Sequence, residues 1–166
     1  MSDFINTIDV LGDVNVANSI IDRSIAEYKD NNVSKVGNYA FYFCQSLTAV
    51  NCPSATSVGE YSFMYCTALT TVNLPSATSI KLHSFYGCSL LTTLCLRSAT
   101  MCSLSSTIGF KNTPIANGTG YIYVPSVLID SYKSATNWST YASQFRALED
   151  YTVDGTITGE LDPNKI

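Results

Sequence analysis

Residues 66–80 read CTALTTVNLPSATSI, and two other stretches say nearly the same: CQSLTAVNCPSATSV at 44–58 and CSLLTTLCLRSATMC at 88–102. The three copies are evenly spaced, so Cys44, Cys66 and Cys88 form one column and Leu47, Leu69 and Leu91 another. Phe41, Phe63 and Phe85 keep the same interval, as do Val50, Val72 and Leu94, then Cys52, Leu74 and Leu96. Ser-Ala-Thr returns at Ser54, Ser76 and Ser98. Self-similarity at a fixed period of roughly 20–50 residues marks stacked repeats, in which each unit buries its apolar face against the next. The repeated phrase therefore builds a shape.

Within a unit, Val50 and Cys52 alternate with Ala49 and Asn51. This reads as a short strand with the first pair pointing inward and the second outward. Pro53 and Pro75 end the strand, because proline has no N–H to give to a ladder. The segment from Tyr39 to Cys44 is expected to return the chain as a helical turn or 3-10 segment. Two weaker units extend the register. SIAEYKD at 24–30 supplies a starting strand with Ile25 and Tyr28 inward, and GYIYVP at 120–125 supplies a last one with Ile122 and Val124 inward. The step from Leu94 to Ile122 is longer than the step from Val72 to Leu94, with the surplus placed around Ser103–Thr107 and Ala116–Gly120. The count is about five short parallel strands.

The core Leu47-x-x-Val50-x-Cys52 resembles the Leu-x-x-Leu-x-Leu core of leucine-rich repeats. With Phe41-x-x-Cys44 before it, and Pro53 and Ser57-Val58-Gly59 after it, the unit resembles the BspA-like (treponemal-type) bacterial leucine-rich repeat over about residues 25–125. The flanks, SIIDRSIAEYKDNNVSKVGNYAF and YIYVPSVLIDSYKSATNWSTYASQFRALEDY, resemble those of short repeat proteins of gut Firmicutes and their prophages. The resemblance implies an α/β repeat solenoid and a role in surface display, adhesion or protein contact, with no catalytic residues to carry over. A structural or decoration role in a phage or prophage particle is the alternative it leaves.

Solenoids need caps with a polar outer side. Residues 1–24 are read as the N-terminal cap, with Val14, Val16, Ala17, Ile20 and Ile21 on a short helix, and 25–125 as the repeats. Residues 126–150 are read as a C-terminal cap of two short helices, opened by Ser126 as N-cap. One helix carries Leu128, Ile129 and Tyr132, and the other Trp138, Tyr141, Ala142 and Phe145. Residues 151–166 hold an Asp154-Gly155 hairpin and a frayed tail. The N-terminus has no basic start, and Asp3, Asp9 and Asp13 interrupt its apolar residues, so neither a secretory signal nor a membrane span is expected. That leaves the cell surface or a virion by another route, or the cytoplasm.

Charged residues make up only 13% of the chain against roughly 25% in ordinary domains, and the net charge is −4. No basic cluster exists to neutralise phosphates, which argues against nucleic acid. Between Val36 and Phe110 the only acid is Glu60, so the paired carboxylates of a glycosidase are missing. His83 stands in the column of Tyr39 and Tyr61 with no nucleophile or acid in register, and reads as a surface residue. We read the chain as non-catalytic, without cofactor or metal. Tetrahedral zinc needs converging ligands. The column Cys44, Cys66, Cys88 is instead a row, spaced roughly 5 Å apart, and reads as a structural ladder. Cys95 is expected to be the one exposed thiol. Asn117 and Asn137 match the glycosylation sequon and, without a signal peptide, read as coincidence.

What remains is surface. The outward strand columns run Glu27, Ala49, Thr71, Thr93, Tyr121 and Lys29, Asn51, Asn73, Cys95, Tyr123. All but Ala49 are the candidate binding face for an unknown protein or glycan, with the two tyrosines as anchors at one end.

Overall fold

The computed structural model describes residues 23–150 and the backbone of 152–153 and 156–157. The capping helix expected over Val14–Ile21 lies outside them. The main sheet holds β1 (Glu27–Lys29), β3 (Ala49–Asn51), β5 (Thr71–Asn73), β7 (Thr93–Cys95), β9 (Tyr121–Val124) and β10 (Phe145–Ala147), all parallel and in that order. Its central register joins Tyr28, Val50, Val72, Leu94 and Ile122, the inward column, and each member is buried.

Two features go beyond the sequence reading. A second parallel sheet of two-residue strands, β2 (Lys35–Val36), β4 (Ser57–Val58), β6 (Ser79–Ile80) and β8 (Ser103–Leu104), forms another side of each coil. Val36, Val58, Ile80 and Leu104 point inward from it. The main sheet also gains a sixth strand, β10, from the cap. Phe145 therefore pairs with Ile122 as a strand residue instead of ending a helix. The strands β11 (Thr152–Val153) and β12 (Thr156–Ile157) pair antiparallel.

The recurrent Ser-Ala-Thr now has a physical reason. The hydroxyls of Ser54 and Ser76 donate to the carbonyls of Asn31 and Pro53 in the preceding coil, at 2.7 and 2.6 Å. Ala55 and Ala77 are fully buried. Thr56 and Thr78 donate to the carbonyls of Ser34 and Thr56 at 3.2 and 3.1 Å. On another corner Thr48, Thr70 and Thr92 do the same to Ala26, Thr48 and Thr70. Each hydroxyl thus ties one coil to the last, adding to the backbone ladder.

Inside, Phe41, Phe63, Phe85 and Phe110 stack at 5.1, 5.2 and 5.3 Å with nearly parallel rings. Phe110 continues the column although its step from Phe85 is longer than the step from Phe63 to Phe85. The surplus of the last coil is taken up in two places. Ile80 pairs with Leu104, a longer step than that from Val58 to Ile80. A one-turn helix α1 (Pro114–Asn117), capped by Thr113 with proline at its start, then bulges before β9.

The C-terminal segment closes the stack. A 3-10 turn (Ser126–Leu128) leads into α2 (Ile129–Ser134), and a 3-10 segment (Trp138–Gln144) precedes β10. Ser126 does not cap a helix: it lies inside the first turn, and its hydroxyl donates to Glu149 at 3.2 Å. Tyr132, Trp138, Tyr141 and Phe145 are buried, while Leu128 and Ile129 are partly buried against the same core.

Candidate interaction surfaces

The structure brings the nine candidate residues together in two columns: Glu27, Thr71, Thr93 and Tyr121 share one, and Lys29, Asn51, Asn73, Cys95 and Tyr123 the other. Their exposure differs from expectation. Glu27 and Lys29 are exposed, and Thr71, Thr93, Tyr121 and Tyr123 are half-buried. Asn51, Asn73 and Cys95 are buried. Parity along a strand fixes which way a side chain points, whereas exposure depends on what stands beside it. Asn73 Nδ2 donates to Asn51 Oδ1 at 2.8 Å, so the amides turn along the column rather than outward. Cys95 lies in register between Asn73 and the much larger Tyr123. The expectation that Cys95 is a solvent-facing thiol is thus corrected.

Nor do the tyrosines form the end of the sheet. β10 extends it, and the Arg146 guanidinium lies 4.4 Å from the centre of the Tyr121 ring. The same guanidinium donates to the carbonyls of Ser143, in the preceding 3-10 segment, and of Phe145, on the outermost strand. A charged side chain placed this way blunts an edge that would otherwise pair with another chain. Among the described residues, therefore, the accessible part of the face is Glu27, Lys29, Thr71, Thr93, Tyr121 and Tyr123.

The six thiols are free and buried. Cys66 and Cys88 donate to the carbonyls of Phe41 and Phe63, both at 3.0 Å, as a packed ladder requires. Burial pushes the Cys66 thiol well above its ordinary value, and the neighbouring Cys88 adds to this. Burial also raises Cys95, slightly offset by Arg97, and lifts Cys102 to about 12. Thiols held protonated in this way are poor nucleophiles and poor metal ligands. Among the described residues no three His, Cys, Asp or Glu side chains are placed to hold a metal ion, and no helix is long and apolar enough to cross a membrane.

A second surface was not read from the sequence. The segment Tyr39–Cys44, expected to be a helical turn or 3-10 segment, is a run of turns whose amides alternate. Tyr39, Phe41 and Phe43 donate to Glu60, Ser62 and Met64 of the next coil, while Ala40, Tyr42 and Cys44 donate within their own. This alternation places Tyr39, Tyr61 and His83 in the left-handed region at φ 58, 56 and 54°, and Phe43 and Tyr65 at 60 and 61°. For a bulky residue such a conformation costs about 1 kcal/mol or more. Gly87 occupies the third position of the Phe43–Tyr65 column at φ 75°, where a Cβ would meet the Tyr65 ring at 2.5 Å.

The strained backbone holds a half-buried aromatic array. Tyr39, Tyr61 and His83 stack at 4.8 and 5.1 Å. Phe43 and Tyr65 lie 4.8 Å apart. Tyr42 meets Tyr39 and Phe43 edge-on, and Tyr86 meets His83 and Tyr65 likewise. His83 is therefore part of this array, with its Nδ1 enclosed and unpartnered. Ring pairs of this kind contribute roughly 0.5–1.5 kcal/mol each, which offsets part of the strain.

Against models of known families, residues 24–127, more than half of the chain, match the BspA type leucine rich repeat region. No match was found among curated proteins. The parallel ladders, the inward apolar columns and this match agree: the chain belongs to the BspA-type leucine-rich repeat family.

Proposed function

We propose that the protein is a non-catalytic binding module that contacts a protein or a glycan, of the kind used in surface adhesion. The observation that carries this reading is the in-register strand face. Thr71, Thr93 and Tyr121 form one unbroken row of accessible polar and aromatic side chains, with Tyr123 beside it. Membership of a family of repeat interaction modules supports it. The two phenol rings supply stacking area and the hydroxyls supply directional hydrogen bonds, on a face with little charge to exclude neutral partners. Aromatic anchors carry a large share of contact energy, about 2 kcal/mol or more each on truncation. The test is to screen the immobilised protein against glycans and host-surface proteins, alongside the Tyr121→Ala/Tyr123→Ala variant. Ligands retained by the wild type and lost by the variant support the reading.

A further inference from the structure

The aromatic array on the turns is a second surface, and its geometry names a partner class. Seven half-buried rings, Tyr39, Tyr42, Phe43, Tyr61, Tyr65, His83 and Tyr86, form one contiguous patch over three coils. Large residues stand in left-handed conformations at five of its positions, where Gly87 shows that glycine fits the same turn without strain. The chain thus maintains rings here against local backbone preference. The phenol hydroxyls of Tyr39, Tyr42, Tyr61, Tyr65 and Tyr86 have no hydrogen-bond partner among the described residues, so each has a proton to donate outward.

The spacing selects the occupant. The stack advances in two steps of 4.8 and 5.1 Å. Their sum is close to the roughly 9 Å advance of one three-residue turn of polyproline II. The edge-on column repeats over that same two-coil interval, with Tyr42 in the first coil, half-buried Met64 in the second and Tyr86 in the third. Prolines three residues apart would therefore meet Tyr42 and Tyr86, with the intervening residues over Met64. A polyproline II chain makes no internal hydrogen bonds, so its carbonyls are open to phenol donors, and its pre-set shape limits the entropy lost on binding. Charge agrees: across residues 37–96 the only formal charges are Glu60 and Lys81, one of each sign, both exposed.

We propose that this turn face binds a proline-rich, uncharged peptide segment in the polyproline II conformation, lying along the solenoid axis. The proposal rests on the interaction-module reading but not on the strand face. A fluorescein-labelled oligoproline peptide is titrated by anisotropy, with a soluble neutral β-glucan as competitor. Saturable binding is expected, weakened about tenfold or more in Tyr42→Ala/Tyr86→Ala and unchanged in Tyr121→Ala/Tyr123→Ala. Because the ring variant also removes packing, hydrogen–deuterium exchange of the unmodified protein provides a second readout. Protection on adding oligoproline is expected in residues 37–46, 59–67 and 81–89. Absence of saturable oligoproline binding, protection confined to the strands, or displacement by the glucan overturns the proposal. If oligoproline fails while ligands from the glycan and protein screen map to Tyr121 and Tyr123, this surface falls and the module reading stands.

Discussion

The indole Nε1 of Trp138 donates to the carbonyl of Cys102 at 2.7 Å, joining the cap to the last full coil. The amide of the same Cys102 donates to the Tyr132 hydroxyl at 2.7 Å, and Asn137 Nδ2 reaches the Leu104 carbonyl at 2.7 Å. β8 is the last strand of the second sheet, and cap side chains fill the place of the strand that would follow it. Tyr141 donates to the Thr107 carbonyl and Gln144 to that of Gly120, extending this closure beyond β8. The cap seals both the apolar end of the Phe110 column and the unpaired backbone around it.

Trp138→Ala should therefore destabilise the fold by about 3–5 kcal/mol, the range for emptying a large aromatic site. Trp138→Phe should cost about 1–3 kcal/mol, since it fills most of the volume and orphans the Cys102 carbonyl. Denaturant titration gives both values. Trp138 is the only tryptophan, so blue-shifted emission should red-shift in one transition with loss of the whole fold. A chain ending at Pro125 should be insoluble or oligomeric, because the stack then presents open core and edge.

All six thiols should resist labelling until the protein unfolds, including Cys95. Their labelling rates in native buffer should track global opening, and the mass of the unreduced protein should match six free thiols. A fast-reacting fraction at Cys95 would show that Tyr123 and Asn73 do not cover it.

The same burial makes the fold alkali-sensitive. In the folded protein Cys102 titrates at about 12 against an ordinary value of 9.0, and Tyr132 at about 12 against 10.0. The unfolded chain loses these protons first, so above pH 9 it binds fewer protons than the folded state and stability falls with rising pH. The contribution is intact below pH 9 and lost through about 12. Chemical denaturation midpoints measured across this range should decline steadily. The Tyr132→Phe variant should show a smaller decline.

Gly87→Ala should destabilise the protein by about 1–3 kcal/mol, since φ is 75° and the new methyl group meets the Tyr65 ring. Tyr65→Ala in the same background should recover part of that loss by opening the space. A double-mutant cycle of melting curves isolates the coupling.

The inward columns were legible because Phe41, Cys44, Leu47, Val50 and Cys52 recur at one interval, and burying a repeated apolar face leaves few alternatives. β2, β4, β6 and β8 were not, since two residues carry no periodicity. β10 escaped because Trp138, Tyr141 and Phe145 suit a helical stripe as well as a 3-10 segment followed by a strand. The turn face was hidden for a deeper reason. Left-handed backbone is ordinarily marked by glycine or asparagine, and here Tyr39, Phe43, Tyr61, Tyr65 and His83 occupy it. On the strand face, alternation gave the direction of Asn51, Asn73 and Cys95 and said nothing of the neighbours that bury them.

The claim that this chain works by contact is tested most directly by the screen against glycans and host-surface proteins. The wild type is compared there with Tyr121→Ala/Tyr123→Ala at matched thermal stability. At least one saturable ligand is expected, with an affinity that falls by about 2 kcal/mol or more in the variant. If every ligand of the wild type is bound equally well by the variant, or the wild type binds none, the strand-face assignment is contradicted.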